Sequence, residues 1–226
     1  MKKGLTVLIV IFTLLGMYIP ADALFYTFSG EDQAGIGSAT MDVTISGNQL
    51  SIVINNTSPI RRTDGKLFNS PSIDGVGFNL GDLTKDDVTT WSLSAYPTQA
   101  SSTTLLIGGT SSSIKAWNFG DIPGEIFNIE LTNGSGVQGG LYNPAIFGGQ
   151  ASGAYYTTAT LTMVFDQAIP EFINPFIRMQ NVGYSGEGSL KLEGELDPGV
   201  PLPEPGTMLL LGIGLIGIAL VMREML

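Results

Sequence analysis

The stretch ATMDVTISGNQLSIVINN, residues 39–56, decides the fold class of this chain. Apolar and polar residues alternate along both of its halves. The apolar positions of the two halves are Ala39, Met41, Val43 and Ile45, then Leu50, Ile52 and Ile54. A period of two is the pattern of a half-buried β-strand. Because Gly47 and Asn48 between the halves suit a two-residue turn, the stretch predicts an antiparallel β-hairpin.

The same alternation recurs in short segments along residues 24–196, separated by turn residues. These segments are DGVGFNL, VTTWSLSA, TTLLIG, SIKAWNFG, EIFNIEL, TTATLTMVFD, FIRMQNV and GSLKLEG. In the clearest of them, Ala159, Leu161, Met163 and Phe165 are expected to face inward. No segment of the body keeps a helical period. We therefore predict an all-β, two-sheet β-sandwich, jelly-roll-like, with about nine to eleven short strands.

Composition excludes several classes of function. The 226 residues contain no cysteine and no histidine, which excludes disulfides, thiolate nucleophiles, Ser-His-Asp triads and the usual zinc sites. With 20 acidic against 10 basic residues, the chain would repel a phosphate backbone, so no nucleic-acid partner is expected. We expect no cofactor and no catalytic residues.

The first 23 residues have the layout of a signal peptide. Lys2 and Lys3 precede an apolar run of 15 residues, Leu5–Ile19, and Ala21-Asp22-Ala23 follows as a small-x-small cleavage pattern. We predict that signal peptidase cuts between Ala23 and Leu24. The alternative is an uncleaved membrane anchor.

The other end combines a proline-rich linker, residues 197–206, with an apolar segment, residues 207–226. The uncharged run 207–222 would span ~24 Å as a helix, somewhat less than a hydrocarbon core of ~30 Å. GIGLIG, residues 212–217, matches the dinucleotide-binding fingerprint, but no strand precedes it and too few residues follow for a βαβ unit. We predict a short transmembrane helix, with Arg223 as its anchor at the polar end.

VPLPEPGTMLLLGIGLIGIALVMRE, residues 200–224, resembles a PEP-CTERM sorting signal. The resemblance implies that exosortase recognises the triplet Pro203, Glu204 and Pro205. It also implies that the protein is exported, held transiently in the membrane, processed near the triplet and delivered to the cell surface or extracellular matrix. Arg223 stands alone where several arginines are usual in this family, and Glu224 follows it.

Two acidic patterns in the body could support chemistry. In EIFNIE, Glu125 and Glu130 resemble the paired glutamates of jelly-roll glycoside hydrolases, but Phe127 replaces the central acid and residues five apart face opposite sides of a regular strand. The alternative is a strand with solvated glutamates. In the second pattern, a structural calcium ion could use oxygens from the loop GDLTKDD and its surroundings, although the spacing matches no defined calcium loop. Its candidate ligands are Asp82, Asp86, Asp87, Asp74 and Asn79.

Aromatic and basic side chains offer a third possibility, a polysaccharide-binding surface. The candidates are Trp91, Trp117, Tyr96, Tyr142, Tyr155 and Tyr156, with the basic pair Arg61-Arg62. Packing in the core is the alternative for the tryptophans. We predict a non-enzymatic exported protein with a structural or polysaccharide-associated role. The alternatives are a jelly-roll glycan-binding module and a carboxylate-dependent glycoside hydrolase.

Overall fold

The computed structural model describes residues 22–59, 71–97, 104–105, 117–133, 140–142, 156–183 and 188–198. These residues form strands joined by turns and loops, with one 3-10 turn at Lys85–Asp87. The strands are β1 (Asp22–Asp32), β2 (Gly35–Ser46), β3 (Gln49–Asn56), β4 (Ser72–Asn79), β5 (Val88–Pro97), β6 (Thr104–Leu105), β7 (Asn118–Phe119), β8 (Ile129–Thr132), β9 (Leu141–Tyr142), β10 (Tyr156–Phe165), β11 (Ile173–Val182), β12 (Gly188–Glu193) and β13 (Glu195–Leu196).

The strands form two antiparallel sheets. The first has the order β13-β1-β2-β3-β10-β5-β6, and the second has the order β12-β11-β4-β8-β7, with β9 also paired to β4. The prediction of an all-β fold with two sheets is confirmed. The finer description as jelly-roll-like stays a prediction.

The β2–β3 hairpin has the predicted register. Ser46 pairs with Gln49, so Gly47 and Asn48 are the two turn residues. Gly47 has a φ of 60°, which matches the first central position of a type II′ turn, where glycine avoids a steric clash. The Asn48 side chain donates a hydrogen bond to the Phe165 carbonyl at 2.7 Å, which joins this turn to the end of β10.

A second hairpin, between β1 and β2, was not among the predicted segments. Asp32 pairs with Gly35, and the two turn residues between them, Gln33 and Ala34, have φ values of 49° and 58°. Consecutive positive φ angles are typical of a type I′ turn, which normally uses asparagine, aspartate or glycine. The unusual turn residues explain why the sequence pattern did not show this hairpin.

Apolar side chains from both sheets form one buried core, as expected when two sheets pack face to face. The predicted inward residues of β10, from Ala159 to Phe165, are all buried, and those of β2 and β3 are buried as well. A small apolar cavity lies between the sheets. Its lining comes from the first sheet (Ile54, Leu93, Leu161) and the second (Val76, Trp117, Leu131, Leu141).

Candidate functional site

Both ends of the folded body lie side by side on one sheet edge. β13 pairs antiparallel with β1, so that Tyr26 is opposite Leu196 and Thr27 is opposite Glu195. The Asp197 amide then donates a hydrogen bond to the Phe25 carbonyl at 2.9 Å. The start of β1 and the exit of the C-terminal linker are therefore neighbours.

The chain reaches β13 by crossing from one sheet to the other at Gly194. A Cβ atom at this position would lie 2.8 Å from both the Phe28 ring and Pro175, so only glycine fits without displacing them. The Gly194 amide donates to the Pro175 carbonyl at 2.8 Å. These contacts fix the point at which the chain turns towards β1, and with it the position of Asp197.

The two ends belong to one end of the two-sheet body, which we call the exit pole (residues 22–25, 45–48, 80–87, 166–172 and 194–198). Asp22 pairs with Ile45 just before the β2–β3 turn, and the Ile169 amide donates to the Gly47 carbonyl. Among the described residues, the exit pole combines one basic side chain, Lys85, with many exposed or half-buried acidic ones. These are Asp82, Asp86, Asp87, Asp166, Glu171, Glu195 and Asp197.

The predicted cleavage site between Ala23 and Leu24 falls inside β1. Ala23 pairs with Thr44 and Leu24 with Val43. The cleavage site and the signal peptide remain predictions. The sorting triplet Pro203-Glu204-Pro205, the predicted anchor residue Arg223 and the predicted transmembrane helix lie outside the described residues. In the part of the chain that the structure describes, no helix is long and apolar enough to cross a membrane.

The segment that contains Glu125 and Glu130 is mostly a loop, which corrects the expectation of one strand over EIFNIEL. β8 begins only at Ile129. The Glu130 carboxylate accepts hydrogen bonds from the backbone amides of Phe127, at 2.7 Å, and Ile122. Because both carboxylate oxygens bind loop amides, residues 121–128 fold back over the sheet instead of extending β8.

This loop covers the outer face of β4, where the sequence alternates glycine with larger residues. A Cβ atom on Gly77 would lie 2.5 Å from the Phe127 ring, and one on Gly75 would lie 3.3 Å from Ile122. The Phe127 ring also packs on Phe176, with 5.2 Å between ring centroids. The glycines therefore provide a flat surface on which the loop lies.

Glu125 has a different environment from Glu130. Its carboxylate lies 3.0 Å from the Lys191 ammonium of β12, in a partly exposed ion pair. Lys191 also donates to the Pro123 carbonyl, so it holds the turn at residues 122–125 against the edge strand. Next to this turn, Ile126 is 94% exposed. The two glutamates therefore make separate contacts that organise the loop.

The candidate calcium ligands are not brought together. Asp74 lies within β4, whereas Asp82, Asp86 and Asp87 lie at the exit pole. The Asp87 carboxylate accepts hydrogen bonds from the Thr84 amide at 2.7 Å and the Thr84 hydroxyl at 3.0 Å. Asn79 accepts the Asn128 amide at 2.8 Å. Within the described ranges, no group of three or more acidic side chains could hold a metal ion.

Asp74 is a buried acid at an irregularity of the sheet. On one side of β4, Ile73 pairs with Met179 and Gly75 with Arg178, so that Asp74 is an extra residue in a β-bulge. Its carboxylate lies 3.7 Å from the Arg178 guanidinium, and its Oδ1 accepts no hydrogen bond from the described residues. Sequence analysis did not predict this pair. The sequence feature that could have indicated it is the carboxylate of Asp74 between Ile73 and the run GVGF, residues 75–78.

Three of the aromatic candidates pack in or against the core. Trp117 and Tyr156 are buried in the core, and Trp91 is half-buried against Phe119, with 5.0 Å between ring centroids. Tyr96 and Tyr142 lie in β5 and β9, in the half of the two-sheet body away from the exit pole, because Tyr96 pairs with Thr158 and Tyr142 with Ser72. Tyr155 and Arg61-Arg62 fall outside the described residues.

Comparison with family models shows that the end of the chain is a protein-sorting signal. The matching model is the PEP-CTERM protein-sorting motif, at residues 201–223. The motif implies an exported protein that is sorted by exosortase to the surface or the extracellular space. The match covers the tail and leaves the activity of the two-sheet body open. No curated protein and no solved structure was found to match the chain.

Proposed function

We propose that this chain is a non-enzymatic surface or extracellular-matrix protein whose β-sandwich has a structural or polysaccharide-associated role. In this proposal, the C-terminal segment holds the body transiently in the membrane until exosortase processes the tail. The observation that carries the proposal is the exit pole, where the linker to the sorting motif leaves the body beside the start of β1. A body attached at one pole presents its opposite half outwards.

The positions of two aromatic residues favour a role at that outward half. Tyr96 and Tyr142 belong to strands whose register places them away from the exit pole. Tyrosines near strand ends can stack on sugar rings while their hydroxyl groups stay hydrated. A polysaccharide bound there would not compete with the membrane for space.

The contacts of the paired glutamates support a non-enzymatic role. A retaining glycosidase needs two carboxyl groups about 5 Å apart and available to the substrate. Here both oxygens of Glu130 accept backbone amides, and Glu125 pairs with Lys191. The glycoside hydrolase alternative would require these contacts to break when substrate binds.

Affinity electrophoresis of the tail-less body in gels that contain the organism's own extracellular polymer tests the polysaccharide role. We expect retardation that is lost in Tyr96→Ala and Tyr142→Ala but kept in Thr90→Ala, a change at an exposed position near the other end of β5. Equal migration with and without polymer would leave only the structural role. Hydrolysis of the polymer that Glu125→Gln abolishes would contradict the non-enzymatic proposal.

A further inference from the structure

The outer face of the first sheet carries an ordered array of small polar side chains. Across β2, β3, β10 and β5 the pairing register continues without a bulge through three adjacent rows, so the residues of a row lie opposite one another. The strand neighbours of these residues are buried in the core, which places the rows on the outer face. We call the array the hydroxyl grid, with the rows Thr40-Asn55-Thr158, Asp42-Val53-Thr160-Ser94 and Thr44-Ser51-Thr162-Ser92.

Sheet geometry sets the spacing of the grid. Neighbouring strands lie about 4.8 Å apart, and successive outward residues of one strand lie about 6.6 Å apart. A row of four side chains is therefore about 14 Å long. Every side chain of the grid is exposed or half-buried. The face thus offers hydrogen-bonding groups at regular intervals to an extended ligand that lies along it.

Cross-strand hydrogen bonds hold several of these side chains in place. The Asn55 side chain donates to the Thr40 hydroxyl at 3.3 Å and accepts from the Thr158 hydroxyl at 2.8 Å. The Ser92 and Thr162 hydroxyls share a hydrogen bond of 2.7 Å. Because a hydroxyl oxygen has two lone pairs, a hydroxyl that is already bonded can still accept from a ligand. Side chains that are restrained in this way lose less conformational entropy when a ligand binds.

The chemistry of the grid limits the class of ligand. Asp42 is its only charged member, although the chain has a net charge of -10. An anionic polymer gains no attraction from such a face and is repelled by the net charge of the chain. Val53 is the only aliphatic hydrocarbon side chain in the grid, so an apolar partner gains little. A second copy of the chain is disfavoured as well, because the grid lacks the aromatic, Met and Arg side chains that are enriched in protein interfaces.

We propose that the hydroxyl grid binds a neutral polysaccharide, whose sugar hydroxyls exchange hydrogen bonds with the Ser, Thr and Asn side chains, directly or through water. Each such bond replaces one to water and contributes little alone, so the affinity comes from several sugar units bound at once. Tyr96 pairs with Thr158 and so takes the register position that continues the first row on β5. This inference rests on the proposed polysaccharide-associated function and adds the class of polymer and the face that binds it.

The experiment is affinity electrophoresis of full chains, kept soluble by a polyoxyethylene detergent. The native gels contain hydroxyethyl cellulose or dextran as neutral polymers, or alginate as an anionic one. Thr160→Val with Thr162→Val removes two hydroxyls at nearly constant size, and valine suits an outward strand position. Thr160→Ser with Thr162→Ser keeps both hydroxyls. The matched control is Thr132→Val, the same change at a half-buried outward position of the second sheet.

We expect the parent chain to be retarded by at least one neutral polymer and not by alginate. The Kd, taken from a series of polymer concentrations, should rise about fivefold or more in the valine double variant, because two hydrogen bonds are lost. It should stay at the parent value in the serine double variant and in Thr132→Val. Equal melting temperatures of the four chains check that the substitutions leave the fold intact.

Retardation by alginate alone, or a valine double variant that binds like the parent, would overturn the proposal. So would a dimer, detected by analytical ultracentrifugation, that the valine double variant dissociates while no polymer retards the parent. Binding that Tyr96→Ala and Tyr142→Ala abolish but the valine double variant keeps would exclude the grid and leave the proposed function standing. A parent chain that migrates equally in all three gels and in polymer-free gels would overturn the grid and count against the polysaccharide role as well.

Discussion

The Arg178 guanidinium lies 3.7 Å from the Asp74 carboxylate within a sheet whose strand β4 is buried on both faces. Burial raises the pKa of the Asp74 carboxyl to about 6, although Arg178 and a backbone hydrogen bond both lower it. The attraction of one cation therefore does not offset the loss of hydration. This pair makes the stability of the body depend on pH.

We expect the free energy of unfolding to fall as pH rises from 3.8 to about 6, because the folded protein binds more protons at Asp74 than the unfolded chain does in this window. Asp74→Asn should remove this dependence. At pH 8 the variant should be more stable than the parent by up to about 3 kcal/mol, the value of a shift of two pKa units. Urea unfolding at several pH values measures this.

The control for that experiment is Asp82→Asn, which removes an exposed carboxylate at the exit pole. Its unfolding free energy should stay within about 0.5 kcal/mol of the parent at each pH. If Asp74→Asn lowered stability at pH 8 by more than this margin, the ion pair with Arg178 would be net stabilising, contrary to our account.

Glu130 and Glu125 should differ in their contributions to stability. Glu130→Gln weakens two hydrogen bonds from backbone amides to a carboxylate, and should cost about 1.5–3 kcal/mol. Glu125→Gln removes a partly exposed ion pair with Lys191, and should cost less than about 1 kcal/mol. Denaturant unfolding of both variants checks this order, and equal losses would show that the loop does not depend on Glu130.

Gly77→Ala tests how residues 121–128 lie on β4. The new Cβ would come within 2.5 Å of the Phe127 ring, so the loop must shift, at a cost of about 1–3 kcal/mol. Gly120→Ala is the matched change, since among the described residues its Cβ would meet only the Thr132 hydroxyl, at 3.1 Å. Thermal unfolding should show a lower melting temperature for Gly77→Ala than for Gly120→Ala. A Gly77→Ala protein as stable as Gly120→Ala would contradict the described loop position.

The predicted membrane anchor can be tested at Leu211, near the middle of the apolar run. Leu211→Arg places a charge in the bilayer at a cost of ~2.5–3.5 kcal/mol, which a short segment with one terminal arginine has little capacity to offset. We expect the variant in the medium with its tail uncut, as detected by immunoblotting and intact mass. A variant that stays in the membrane and is processed normally would show that the tail does not anchor the protein.

Sequence predicted best the strands that bury one face. β2, β3 and β10 have strict alternation, and a slip of one residue would expose every apolar side chain, so the pattern determines their register. β4 was found although it is buried on both faces, because its glycines alternate with larger residues. The β1–β2 turn was missed because Gln33 and Ala34 adopt positive φ, which their residue types do not favour.

Among the candidate sites, too, some could be predicted from sequence and others could not. The sorting motif is a local pattern, and a family model confirmed it at residues 201–223. The roles of Glu130 and Arg178 could not be predicted, because their partners are backbone amides in a loop and a carboxylate on a neighbouring strand. Such contacts depend on the three-dimensional path of the chain, which the spacing of residues along the sequence does not determine.

The central claim is that this chain is exported and sorted through its C-terminal motif. Intact and peptide mass spectrometry of the surface-exposed protein tests it most directly. We expect a chain that begins at Leu24 and lacks the apolar tail that follows Pro205. A mature extracellular protein that retains residues 207–226 would contradict the account.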